Sequence, residues 1–424
     1  MPISEGFRGR LLGQLPNLLD QVPTPFYVYD SVGIRETYRS LLAAFSGHPY
    51  TQHFAVKAQP NPAILQLLTE DGSGLDCASA PELRLAQELG VGGSRVVYTG
   101  NNSTRQEIRA AVSMGAVVTF DDISALGLSD PLPEVVAFRV APSSSESGST
   151  LMGSGENAKF GVPEKDLADA YRQAWQRGAR RFGIHGMTRA NELNVSTMVA
   201  AGRDLLRLAG KVEADSPARI EYVNFGGGLG VPYMPGDAPF DITAYGRELI
   251  RAVESSFPER TIGIRTEIGR YITASHGVLV TKVINRMRKA HDLIGVDASM
   301  SALMRPALYG AYHHISILDR NCRPAQGDTV PMDVVGSLCE NMDKFAVGRP
   351  LPNAVRPGYL ALIQDVGAHG HSMGFNYNGR LRPAEILITG ARSAELIRTA
   401  ETYEDYTRTL VRRQLADISE EITA

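Results

Sequence analysis

The chain has 424 residues, 43% of them hydrophobic, too many for one small core and enough to bury two. Its 43 basic and 46 acidic residues leave a net charge of −3 without charge blocks or aromatic-basic interleaving, which removes the electrostatic case for nucleic acid or a membrane surface as main partner. Cys77, Cys322 and Cys339 form no C-x-x-C pair, no apolar run reaches the roughly 18 residues of a membrane span, and the first 20 residues lack a basic-then-apolar signal, so a reduced, cytoplasmic protein without a structural metal is expected.

In chain order, residues 25–30 follow Pro23 and read as a strand, and 32–45 as an amphipathic helix. A rhythm then sets in. Strand patterns fall at 52–57, 75–78, 95–98, 116–120, 134–140, 182–186, 220–225 and 263–267, with helical patterns at 63–68, 82–89, 105–114, 164–176, 197–208 and 245–256. Strands alternating with helices imply a parallel sheet, and eight such units over about 240 residues match a (β/α)₈ barrel. An open doubly wound sheet is the competing arrangement. After about residue 274 the texture becomes all-β, with strands at 278–283, 307–317, 332–335, 359–364 and 385–388, and a helical tail at 401–419. The expected fold class is α/β, a (β/α)₈ barrel with a second, mostly antiparallel β-domain. The Ser- and Gly-rich stretch 148–155 is expected to be an exposed, mobile loop.

The chemistry should sit at the carboxyl ends of the barrel strands. The first of these strands ends Phe54-Ala55-Val56-Lys57 and breaks at once into Gln59-Pro60-Asn61-Pro62. Lysine is almost never fully buried without a task or a partner, although a plain surface lysine also fits this stretch taken alone. After the seventh strand comes Gly226-Gly227-Gly228-Leu229-Gly230, whose missing Cβ atoms let backbone N–H groups close on an anion. After the eighth comes Glu267-Ile268-Gly269-Arg270. A tight turn also explains a glycine run, but its place after strand seven is where barrels build phosphate sites. A phosphate-bearing cofactor beside a strand-end lysine suggests pyridoxal 5′-phosphate held as a Schiff base by Lys57. Glu267 would then keep the ring nitrogen protonated, a solvated acid or an ion pair with Arg270 being the alternative.

With these residues in view, the chain from Thr24 to about Arg412 resembles the barrel-type, alanine racemase-like pyridoxal-phosphate decarboxylases, and within them the diaminopimelate decarboxylases. Its further landmarks are Leu75-Asp76-Cys77-Ala78-Ser79, Lys159-Phe160-Gly161, Met304-Arg305-Pro306-Ala307-Leu308-Tyr309, Cys339-Glu340 and Asn376-Tyr377-Asn378. The resemblance implies three parts: an N-terminal strand in residues 1–30 that joins the β-domain, a cofactor-binding barrel at 31–274, and a β-domain with helical tail at 275–424. It implies a homodimer with shared active sites and a small amino-acid substrate. Gly226, Gly227, Gly228, Gly269 and Arg270 would hold the phosphate, and Tyr377 would touch cofactor and substrate. Cys339 would return a proton after carbon dioxide leaves, and Glu340 would meet the substrate's distal ammonium. Arg270, Arg305 and Tyr309 match positions that bind a distal carboxylate, for which planar guanidinium groups are suited.

The implied reaction is decarboxylation of meso-2,6-diaminopimelate at its D-centre to L-lysine; the alternatives are a barrel-family decarboxylase or racemase for a related amino acid in a specialised pathway, or a cofactor carrier. A carrier needs only the barrel, so Cys339 and Glu340 argue for an enzyme. Four departures stand out. Ile268 replaces the family's proline, and Asn341-Met342-Asp343 replaces Ser-Gly-Asp. Ile184-His185-Gly186-Met187 stands where His-x-Gly-Ser-Gln is familiar, so either His185 or Met187 is expected to cover the cofactor ring. His369 and His371 lie where aromatics are commoner and are expected to be satisfied structural histidines.

Overall fold

A computed structural model describes residues 3–141, 159–187 and 189–412. The chain opens with α1 (Glu5–Gln21) and β1 (Phe26–Asp30), followed by α2 (Ser31–Ala44). The barrel strands then follow as β2 (Tyr50–Ala55), β3 (Gly74–Cys77), β4 (Val96–Tyr98), β5 (Val117–Phe120) and β6 (Val135–Ala141). After the two-residue β7 (Val162–Pro163) come β8 (Arg181–His185), β9 (Ile220–Asn224) and β10 (Gly263–Thr266). Eight of them run parallel, and β10 pairs with β2 to close the circle. The expected barrel is present and the open sheet is not.

Between the strands lie α3 (Pro62–Glu70), α4 (Ala80–Glu88), α5 (Arg105–Ser113), α6 (Leu167–Gln176), α7 (Val195–Asp215) and α8 (Ile242–Ser256). Polar side chains fix where several of them begin. Asn61, Ser79, Asn194 and Asp241 each accept an N–H of the first turn, and Thr104 and Glu107 form a reciprocal capping box on α5. Strands such as β3 and β5 are buried along their whole length, as expected when helices cover one face of a parallel sheet and the barrel interior the other.

The second sheet comprises β11 (Gly277–Arg288), β12 (Asp292–Val296), β13 (Ile315–Leu318), β14 (Thr329–Val335), β15 (Lys344–Pro352), β16 (Leu360–Gln364), β17 (Ala384–Ile388) and β18 (Ala394–Arg398), together with β1. β1 lies antiparallel to β11 and parallel to β17. Its alternation splits two cores: Tyr27 and Tyr29 face the barrel side, while Phe26 and Val28 pack with Phe7, Leu11, Leu15 and Leu18 of α1.

Three differences from the expected elements stand out. α1 has no counterpart among them, and its apolar side chains at spacings of three and four find the outer face of the second sheet. The strand expected at 307–317 is instead α10 (Arg305–Tyr309), started by Pro306 and ended by Gly310 at φ 61°, with β13 beginning only at Ile315. The tail is helical only at α11 (Tyr403–Thr407) among the described residues. Residues 413–419 of the expected tail, and the expected loop 148–155, lie outside the described residues.

Candidate active site

β2 ends at Ala55, and Lys57 occupies the middle of a 3₁₀ turn, Val56–Ala58, rather than the strand itself. Its flanking residues are buried, but its own side chain is 52% exposed, with Nζ 3.9 Å from Oδ2 of Asp76 on β3. The amine is therefore anchored at its root and accessible at its tip.

Glu267 follows β10 directly and is buried. Three neighbouring strand ends hold it. His185 of β8 brings Nε2 to 3.0 Å from Oε2, Asn224 of β9 donates from Nδ2 to Oε1 at 2.8 Å, and Thr99, just after β4, donates to Oε1 at 3.4 Å. Burial pushes the Glu267 carboxyl up, but the charge and hydrogen bond of His185, with Lys57 and Asn224, outweigh it and bring it down to about 2. Burial and then the Glu267 charge drive Asp76 the other way, well above the usual carboxylate range despite Lys57. The two buried carboxyls are thus driven in opposite directions, Glu267 towards its ionised form and Asp76 towards its protonated one.

The glycine turn has no room for side chains. Gly226 and Gly228 adopt φ of 62° and 99°. A Cβ on Gly226 would lie 2.8 Å from that of Met187, on Gly227 2.7 Å from the Glu267 carbonyl oxygen, and on Gly228 2.5 Å from the Arg189 carbonyl oxygen. A Cβ on Gly269 would meet that of Ala58 at 2.7 Å. The turn itself carries no side chains at these positions, a cradle that suits a phosphate. The cradle, the ionised Glu267 and the accessible Lys57 amine fit the phosphate, ring nitrogen and carbonyl carbon of pyridoxal phosphate.

Beside this group stands a pair of arginines. Arg270, the first residue of α9 (Arg270–Thr273), donates from Nη1 to the Tyr233 hydroxyl at 2.8 Å. Arg305 is buried, with its guanidinium carbon 4.6 Å from the Tyr233 ring centroid and Nη1 3.0 Å from Nε2 of His313. Tyr309, four residues on, remains 46% exposed. The backbone N–H of His369 donates to the Ala58 carbonyl at 2.8 Å, tying the second sheet to the Lys57 turn. Burial and the charges of Arg270, Arg305 and Lys57 keep the His369 imidazole neutral. His371 is the satisfied histidine of the two, with Nε2 3.1 Å from the Pro383 carbonyl oxygen and Nδ1 3.0 Å from Arg382.

Asp365, at φ 59°, is buried with neither carboxyl oxygen hydrogen-bonded among the described residues, and burial raises it to about 8. The folded protein therefore holds this proton up to about pH 8, whereas the unfolded chain releases it near pH 4, so stability falls as pH rises through that window. Asp365→Asn is expected to be the more stable protein at pH 8, by about 1–3 kcal/mol, with the difference shrinking towards pH 4. Urea unfolding of both proteins at pH 5 and pH 8 measures it, and identical pH dependence contradicts the assignment.

Cys339, Glu340 and Tyr377 form a separate exposed group. Tyr377 donates its hydroxyl to Glu340 at 3.2 Å, and the Cys339 N–H donates to Asn378 at 2.8 Å. Of the residues that sequence reasoning left without a role, Asp76 and Asn224 had a signal, since each occupies a barrel strand end. Tyr233 and His313 had none, since both come from irregular segments.

A closed barrel carrying a lysine, an ionised carboxylate and a glycine cradle at its strand ends defines a barrel-type, fold type III pyridoxal-phosphate protein. Residues 32–274 match the family described as pyridoxal-dependent decarboxylase, pyridoxal binding domain, and the chain belongs to that family, whose cofactor is pyridoxal 5′-phosphate. It is 51% identical over 407 residues to the protein TabA of Pseudomonas amygdali pv. tabaci, covering 96% of both chains. It is 36% identical over 401 residues to the diaminopimelate decarboxylase of Methanothermobacter thermautotrophicus, covering 92% of both. The diaminopimelate decarboxylase from Helicobacter pylori, solved with L-lysine, has the same fold at a TM-score of 0.85 and 27% identity, over 93% of this chain and 98% of that one. Among the described residues no helix is long and apolar enough to cross a membrane, and no cluster of three metal-ligating side chains occurs.

Proposed function

We propose that the protein decarboxylates meso-2,6-diaminopimelate at its D-centre, giving L-lysine and carbon dioxide, as a cytoplasmic homodimer with shared active sites. The observation that carries this reading is the arginine pair: Arg270 and Arg305 meet on Tyr233, and the charges of both are felt at His369, whose backbone is tied to the Lys57 turn. Two guanidiniums suit a second carboxylate on the substrate and repel a substrate that ends in an ammonium.

Pyridoxal phosphate supplies the electron sink for loss of carbon dioxide. Lys57 holds it covalently, while Gly226, Gly227, Gly228, Gly269 and Arg270 close on its phosphate. Glu267, braced by His185, Asn224 and Thr99, keeps the ring nitrogen protonated. His185 holds Glu267 through Nε2 and Met187 packs beside Gly226, and one of these two covers the ring. Arg305 and Tyr309, with Arg270 beside them on Tyr233, receive the distal carboxylate, and Glu340 and Tyr377 contact the rest of the substrate. Cys339 delivers the proton that replaces the lost carboxylate, a task suited to a thiol whose reference pKa of about 8.5 lies near working pH.

Cys339, Glu340 and Tyr377 bond among themselves and with Asn378 at the surface, beside Met342 at 59% exposure, an arrangement that a second subunit would cover. In mixed dimers of Lys57→Ala and Cys339→Ala subunits, one site then carries both defects and the other neither. Mixing the two inactive proteins is expected to restore about a quarter of native sites, because about half the dimers are mixed. No recovery under confirmed subunit exchange would end the shared-site assignment.

The 51% identity to TabA, higher than the 36% to a diaminopimelate decarboxylase, favours a second reading. In it, a related barrel decarboxylase acts on another dicarboxylic or diamino acid in a specialised biosynthetic pathway. Carbon dioxide release from meso-diaminopimelate, compared with L-lysine, D-lysine, ornithine and arginine, separates the two. Release from meso-diaminopimelate alone supports the first reading, and no release from it defeats that reading.

A further inference from the structure

We propose that His313, between α10 and β13, is a positioning residue that sets discrimination for the substrate's second carboxylate by holding the Arg305 guanidinium in one orientation. This rests on the reading above, in which Arg305 receives that carboxylate.

The geometry defines the tautomer. His313 is fully buried, and its Nδ1 lies 2.8 Å from the backbone carbonyl oxygen of Gln364, a group that only accepts. Nδ1 therefore carries the proton. Its Nε2 lies 3.0 Å from Nη1 of Arg305, a group that only donates, so Nε2 offers a lone pair. A protonated imidazole would set N–H against N–H, and burial with the Arg305 charge keeps the ring neutral, at about 3. Tyr233 packs edge-to-face on His313 at 5.2 Å between centroids and under the Arg305 guanidinium at 4.6 Å.

The guanidinium is thus held at Nη1 by His313 and on one face by Tyr233. The edge formed by Nε and Nη2 is not the one His313 occupies. Nε is buried and has no hydrogen-bond partner among the described residues. An unpaired buried donor at that edge suits a carboxylate, which accepts from a guanidinium. An arginine without these two restraints samples many rotamers and loses that freedom on each binding event. His313 removes part of that loss in advance, so it acts on substrate binding and leaves the chemical step to other groups.

Two variants of the holoenzyme test this. His313→Phe keeps a buried ring but accepts no hydrogen bond, whereas His313→Gln offers an oxygen to Arg305 and an N–H to the Gln364 carbonyl. His313→Phe is expected to lower kcat/KM for meso-diaminopimelate by on the order of 10–100-fold, nearly all of it in KM, with the visible cofactor band unchanged. His313→Gln is expected to recover most of the loss. A native enzyme that does not prefer meso-diaminopimelate over L-lysine would overturn the underlying reading of Arg305. A native preference that His313→Phe retains would overturn the role of His313 and leave that of Arg305 standing. Failure of His313→Gln to recover KM, or loss of the cofactor band in both variants, would make His313 a packing residue and equally overturn the proposal.

Discussion

Lys57→Ala protein is expected to purify without the visible absorption of bound pyridoxal phosphate and to lose activity by on the order of 10⁴-fold or more. The side chain is half exposed on a turn whose neighbours Val56 and Ala58 are buried, so its removal leaves the packing of the barrel intact. Compared with the native protein stripped of cofactor, its stability is expected to change by no more than about 0.5 kcal/mol, as at other surface positions without a packed role. The separation of the two effects is what assigns the residue: a covalent anchor costs the cofactor band, whereas an exposed partner of Asp76 would cost neither band nor fold. Spectra and urea unfolding of the same preparation measure both. A variant that keeps the band removes Lys57 from its assigned role, and a native protein without a band after reconstitution contradicts cofactor binding altogether.

Arg305→Ala is expected to cost about 2–5 kcal/mol in kcat/KM on a substrate with a distal carboxylate, because the substrate's charge is then buried without a partner. Arg305→Lys is expected to recover little, since an ammonium is a point charge and cannot present the planar fork that His313 and Tyr233 orient. Tyr309→Phe, at an exposed position four residues along, is expected to cost far less. Kinetics on meso-diaminopimelate and L-lysine measure all three, and native activity equal on the two substrates contradicts the assignment of Arg305.

The barrel was legible for a physical reason. Its strands are buried on both faces, so each reads as a short apolar run, and polar caps such as Asn61, Ser79 and Thr104 mark where the next helix begins. Rhythm plus the rule that chemistry sits at carboxyl strand ends made Lys57, the glycine turn and Glu267 the candidates from residue order alone. α1 was missed because its pattern has meaning only against β1, β11 and β17, which lie up to about 380 residues away. α10 was taken for a strand because five residues are too few to show a period, and the Pro306 start and Gly310 stop decide it.

What the amino-acid order determined by itself is therefore everything carried by local pattern: the alternation of strand and helix, the backbone freedom of Gly226 and Gly228, and which residue types stand at each strand end. What only the tertiary structure decided is which groups face one another and in what state. Asp76 and Glu267 are both strand-end acids in the sequence, yet burial and the Glu267 charge push one up while His185 and Asn224 bring the other down. His369 and His371 are two residues apart, yet burial and the charges of Arg270, Arg305 and Lys57 push the first down while the second is bonded to Pro383 and Arg382. Arg305 meets His313, eight residues on, and Tyr233, more than seventy residues back in the barrel, and neither contact is visible in the local pattern. Protonation and orientation depend on distance and burial, and those are properties of the closed barrel and the sheet packed against it, not of any segment of the chain.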